Sequence, residues 1–146
     1  MKLADTPPRR AGHMTGMRGV YLVSAELARL GFIVSPTSRS AIGADILATN
    51  QTCTKAFSVQ VKTNASTFGF WLLGKKAQKM VSRTHIYVLV NIRSSKKAKT
   101  EAIEFYIVPS KVLAANMKFG EHWCQINMSD VSKYRDKWSV FGSPTA

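Results

Sequence analysis

The stretch that most restricts what this chain can fold into is Gly43-Ala44-Asp45-Ile46-Leu47-Ala48, followed after a polar link by Phe57-Ser58-Val59-Gln60-Val61-Lys62-Thr63. Both runs follow the period of two that sends successive side chains of a strand to opposite faces. In the second run Phe57, Val59 and Val61 share one face, and Ser58, Gln60 and Lys62 share the other. Asn50 to Lys55 is turn-rich, so an antiparallel hairpin is expected between the runs. That hairpin brings Asp45, at the opening of its strand, close to Gln60 and Lys62. One side of the pair then packs a core, while an acid, a neutral oxygen donor and a lysine meet on the other.

The surrounding charge makes this acid conspicuous. From Thr6 to Thr100 the carboxylates are Glu26 and Asp45, against fifteen Lys and Arg. Each calls for a reason: an ion pair, a helix-surface charge, or a ligand role. The formal net charge of +13, with a pI near 10.2, favours a polyanionic partner, of which nucleic acid is the commonest. Anionic membrane ranks lower, because the basic residues are scattered rather than arrayed on an amphipathic helix. No apolar run approaches the ~20 residues of a membrane span. The start, Met1 to Met14, is polar and basic, unlike a secretory leader. Cys53 and Cys124 are far apart and have no CxxC or Cys/His spacing, which fits two reduced thiols in a cytoplasmic protein.

At 146 residues the chain is expected to be one domain, residues 14–146. Residues 1–13 are expected as a flexible arm, and Gly12-His13-Met14 resembles a cloning remnant. Val20, Val23, Leu27 and Leu30 form a helical stripe over 17–30, with Gly31 as the C-terminal stop. Glu26 borders that stripe, where it either looks into a cleft or reaches water. A strand is expected at 32–35 and a polar loop with Ser38 and Arg39 at 36–42, before Gly43 turns the chain into the Asp45 strand. A helix is expected over 71–80, carrying Lys75, Lys76 and Lys79. A strand covered on both faces is expected at 85–92, then a basic loop with Lys96 and Lys97. A strand at 103–108 leads into a helix capped by Ser110, with a short strand at 122–127 and a helix at 129–138 completing the chain. The first three strands are joined too tightly for crossovers, so they form an antiparallel meander, and the later helix lets the fourth enter parallel. His85 reads as a strand-edge residue, and Trp71, Trp123 and Trp138 as packing groups.

A helix carrying Glu, a meander with Asp on its second strand and (E/Q)-x-K on its third, then helix and strand, resembles the PD-(D/E)xK nuclease superfamily. The matched positions are Glu26, Asp45, Gln60 and Lys62, with Gly43 before the acid, and the likeness spans about residues 17–110. Within that superfamily the helix Glu is similar to archaeal Holliday-junction resolvases, and Gln-x-Lys to Mrr-like restriction enzymes. The resemblance implies an α/β restriction-endonuclease-like core, a central mixed sheet of order αβββαβ flanked by helices. It also implies a catalytic set of Glu26, Asp45, Gln60 and Lys62. Asp45, the Gln60 amide oxygen, the Val61 carbonyl and Glu26 would hold Mg²⁺ or Mn²⁺. Hard cations take oxygen ligands, and Lys62 is a compact cation suited to a developing phosphate charge. Gln60 departs from the usual acid by supplying an oxygen without a charge, which should weaken metal affinity.

The expected function is therefore metal-dependent cleavage of DNA phosphodiesters, selective for structure rather than sequence. The alternative is a nuclease-fold DNA-binding protein without useful catalysis. Ser38, Arg39, Lys75, Lys76, Lys79, Lys96 and Lys97 are the expected phosphate contacts or, equally, solvated charges. A homodimer would allow both strands to be cut. An ordinary exposed strand face with an Asp45–Lys62 ion pair remains the plain alternative for the central residues.

Overall fold

The structure, a computed structural model, describes residues 8–38, 41–65, 68–95 and 97–146, with the side chains of 8–11 excepted. It opens with helix α1 (Pro8–Arg29), which starts well before residue 17 and takes up part of the expected arm. Proline suits a first helical turn, where its missing N–H costs nothing. The helix ends as Gly31 predicted. At φ 103°, Gly31 donates to Ala28 O at 3.0 Å while Phe32 donates to Leu27 O at 3.0 Å, the paired bonds of a Schellman ending.

Five strands make the main sheet, in spatial order β1 (Ile33–Pro36), β2 (Ile46–Thr49), β3 (Ala56–Asn64), β5 (His85–Ser95) and β6 (Thr100–Pro109). β1, β2 and β3 form the expected antiparallel meander, β5 joins β3 in parallel, and β6 returns antiparallel to β5. β5, an interior strand, is buried from His85 to Ile92, in keeping with its continuous apolar run.

The parallel crossover differs from expectation. Residues 71–80 do not form a helix: Phe70–Leu73 is strand β4, followed by a 3₁₀ turn at Lys75–Gln78. Trp71 and Leu73 point inward while Leu72 is exposed, so the run obeys a period of two, and Gly74 in extended backbone separates it from the turn. Short apolar runs are where the two periods are hardest to tell apart. β4 belongs to a second sheet, of order β4–β8–β7, with β7 at Lys118–Phe119 and β8 at Cys124–Asn127.

The main sheet therefore has a core on each face. Val23 and Leu27 of α1 meet Val59, Val61, Val88 and Ile107 on one side. Trp71, Leu73, Cys124 and Ile126 of the small sheet meet Tyr87, Leu89, Tyr106 and Val108 on the other, beside α2 (Ser110–Asn116). Ser110 does not cap α2. Its hydroxyl donates to Ser82 O at 2.8 Å and accepts from Ser82 N at 3.0 Å, anchoring the approach to β5. The expected helix at 129–138 is broken into α3 (Met128–Val131) and 3₁₀ turns at Ser132–Tyr134 and Trp138–Phe141. An isolated bridge from Arg135 to Tyr106, with Asp136 N donating to Phe105 O at 2.9 Å, pulls the chain out of helix there. It then carries Trp138 and Phe141 around to the α1 side.

Candidate active site

The backbone aims Asp45 before any side-chain contact is made. Gly43 stands at φ 90°, a conformation that calls for glycine, while the atom nearest a Cβ there is the movable end of Met80, Cε at 2.3 Å. Asp45 lies one residue before β2, with its N–H donating to Val59 O at 2.8 Å and its carbonyl accepting from Thr37 N at 2.9 Å. Its Oδ2 accepts from Gln60 Nε2 at 2.6 Å and from the Val61 N–H at 2.8 Å. In an extended strand the N–H and C=O of one residue point to the same edge, so the Val61 carbonyl faces this edge too. Asp45, Gln60 and the Val61 backbone are thus drawn together.

Lys62 is close by but not paired with the acid. The described residues show no ion pair between Asp45 and Lys62. Val59 and Val61 are buried on the α1 side while Gln60 and Lys62 are half-buried on the reverse, as the alternation predicts. Gln60 and Lys62 line a cavity of ≈ 130 Å³ with Gly43, Lys76, Met80 and Tyr87. Asp45 lines a larger cavity of ≈ 260 Å³ on the α1 side, with His13, Met17, Tyr21, Thr37 and Ser38. The Gln60–Asp45 hydrogen bond, just before the start of β2, links a residue lining one cavity to a residue lining the other.

Glu26 stands elsewhere. Its Oε2 accepts from Arg29 Nε at 3.0 Å and Nη2 at 2.9 Å, and it does not line the Asp45 cavity. Tyr21 and Met17, roughly one and a half and two and a half turns closer to the start of α1, line the Asp45 cavity together with His13 and Val20 of the same helix. The i, i+4 spacing of His13, Met17 and Tyr21 was a legible signal that they share a helix face.

Of the expected phosphate contacts, Ser38 lines the Asp45 cavity and Lys76 the Gln60–Lys62 cavity. Lys79 lines a third concavity with Ser58 and His85, while Lys75 and Lys97 are exposed. Arg39 and Lys96 lie outside the described residues. His85 is the first residue of β5, an interior strand of the main sheet, where it is 5% exposed and has Nδ1 2.7 Å from Ser58 Oγ. Burial pushes its pKa below the usual imidazole value, partly opposed by the bond to Ser58, so neutral His85 is favoured.

The donor set, one carboxylate, one amide oxygen and one backbone carbonyl, suits a hard cation that completes its sphere with phosphate and water. Gln60 turns Nε2 to Asp45, and rotating the terminal amide exchanges N for O at nearly the same position. The described residues hold no cluster of three His, Cys, Asp or Glu, so any cation here would rely on neutral oxygens.

No family model and no curated protein matches the chain. Among solved structures, it is similar to the Holliday junction resolvase Hjc of Archaeoglobus fulgidus, an archaeal hyperthermophile. The TM-score is 0.54 at 15% identity, over 81% of this chain and 88% of that one. It is also similar to the bacterial homing endonuclease I-Ssp6803I, with a TM-score of 0.55 at 14% identity over 88% of each chain. At such identities the likeness is one of fold.

Proposed function

We propose that this chain, which has the fold of the PD-(D/E)xK nuclease superfamily, is a divalent-metal-dependent DNA endonuclease that selects DNA by structure. The observation that carries the reading is the meeting of Asp45 with Gln60 and the Val61 backbone at a sheet edge, one residue from Lys62. A bound cation would supply an acidified water and neutralise charge on the scissile phosphate. Asp45, the Gln60 Oε1 and the Val61 carbonyl are the residues to hold it. Lys62 faces the phosphate as a point charge, and Lys76 and Lys79 hold the backbone on either side. The net charge of +13 draws DNA to this face irrespective of sequence.

One observation favours a second reading, a binder without catalysis: Gln60 supplies no charge and donates to the acid it should assist. Incubation with supercoiled, linear and branched DNA in Mg²⁺ or Mn²⁺ separates the two. Under the nuclease reading Asp45→Asn and Lys62→Ala each lower cleavage by ~10²-fold or more while DNA is still retarded in gels. Retardation by the parent chain with no nicking under either metal leaves the binder.

A further inference from the structure

Solvent-facing sheet surfaces usually carry polar residues opposite a buried apolar face. On β4 the outer face of the small sheet does not. β4 buries Trp71 and Leu73 and turns Phe70 and Leu72 outward, with Leu72 52% exposed. Phe68, just before β4, is 57% exposed and lies 5.5 Å from the Phe70 ring, and Trp123, just before β8, is 61% exposed. Opposite Phe70 and Leu72 stand Asn127 and Gln125, whose amides bond each other at 2.8 Å. Phe68, Phe70, Leu72 and Trp123 line a cavity of ≈ 380 Å³ whose polar edges are the amides of Asn64 and Gln125.

Three features specify an occupant. Among the described residues no charged side chain lines the cavity, whereas Lys118 stands beside Gln125 on β7, where it also reaches Asp130 at 4.0 Å. Aromatic faces flanked by amide donors and acceptors match the two surfaces of a nucleobase, its π-face and its hydrogen-bonding edge. The platform is also continuous with the site already described. Asn64 lies two residues beyond Lys62 on the same face of β3, and its amide donates to Phe70 O. Two strand residues cover about 7 Å, roughly two base steps of a stacked strand.

We propose that this platform stacks the unpaired bases of a DNA strand whose phosphates run along the Gln60–Lys62 groove. Bases in duplex already have both faces stacked and their edges paired, so the platform takes only a single-stranded flap, gap or branch. This deepens and rests on the nuclease reading by naming the structural feature selected.

The test is a titration of the full chain by fluorescence anisotropy, in EDTA at fixed salt, against a labelled single strand and the matching duplex. The parent chain binds the single strand more tightly. Trp123→Ala and Phe68→Ala each weaken single-strand binding by roughly ten- to a hundredfold, as loss of one stacked base does, and leave duplex binding in place. Trp123→Phe keeps most of the affinity. Equal loss on both DNAs, no loss on either, or variants that convert a dimer to monomer in sedimentation would overturn the proposal, the last by showing that a second copy covers the platform. Because the titration is run without metal, it reads binding alone: absence of single-strand preference in EDTA counts against the platform, whereas failure to cut DNA in Mg²⁺ or Mn²⁺ counts against the nuclease reading.

Discussion

Gln60 offers Asp45 a neutral donor at 2.6 Å where a second carboxylate would repel it. Gln60→Glu therefore costs the metal-free protein about 1 kcal/mol, through a lost hydrogen bond and a new like charge. Two carboxylates bind a divalent ion more tightly, and an ion that binds only the folded state restores stability by mass action. Thermal melts of the variant should fall below the parent in EDTA and recover in Mg²⁺, and cleavage should saturate at lower Mg²⁺. A variant melt that ignores Mg²⁺ argues against a cation at this place. His85 gives a separate test at the same scale. Its folded pKa lies below the unfolded value of 6.5, so the unfolded chain binds the proton more readily. Its contribution is complete above pH 6.5 and declines as pH falls towards the depressed folded value. Denaturant midpoints at pH 7.5 and 5.5 should differ more for the parent than for His85→Asn.

Helix α1 is held against the sheet by an unusually close approach. A Cβ on Gly19 would lie 1.7 Å from Thr63 Oγ1 on β3. Farther out, Arg18 pairs with Glu101 of β6 through its two terminal nitrogens, Nη1 and Nη2. Gly19→Ala must push helix from strand, and overpacking of this kind costs about 1–3 kcal/mol. Because Met17 and Tyr21 line the Asp45 cavity from the same helix, the variant should also lose cleavage. Adding Thr63→Ala should return part of the stability in denaturant titrations, and a double variant no better than the single one removes this contact as the cause. The Glu26–Arg29 pair lies on the same helix, a turn beyond the cavity-facing residues. Its carboxylate is occupied along the helix surface, one of the two outcomes its place at the stripe's border allowed.

Across the whole molecule the charge is unevenly answered. Glu104, 7% exposed, is bonded by Arg93 and reached by Arg135 at 3.7 Å, so the buried acid among the described residues is spent within the fold. Lys75, Lys76 and Lys79 on the crossover stay exposed near the Gln60–Lys62 cavity. If these hold phosphates, changing all three to Ala should make the plot of log affinity against log salt shallower by about 2–3, near 0.9 per lost contact. An unchanged slope places the DNA on another face. The described residues contain no helix long and apolar enough to cross a membrane.

What the sequence determined by itself was local and periodic. The stripe of α1, its ending at Gly31, the Val59/Gln60 alternation and the order of five strands all follow from side chains three, four or two residues apart. Only the tertiary structure decided that Phe70–Leu73 is strand rather than helix, because four apolar residues satisfy either period until another strand offers them hydrogen bonds. It alone set Glu26 apart from Asp45 and brought His13, Met17 and Tyr21 to it, since the seat of α1 depends on the Gly19–Thr63 contact between distant residues. It alone left Trp123 in solvent while burying Trp71, because burial depends on which face of a sheet finds a partner, and that partner is chosen by the packing of the entire chain.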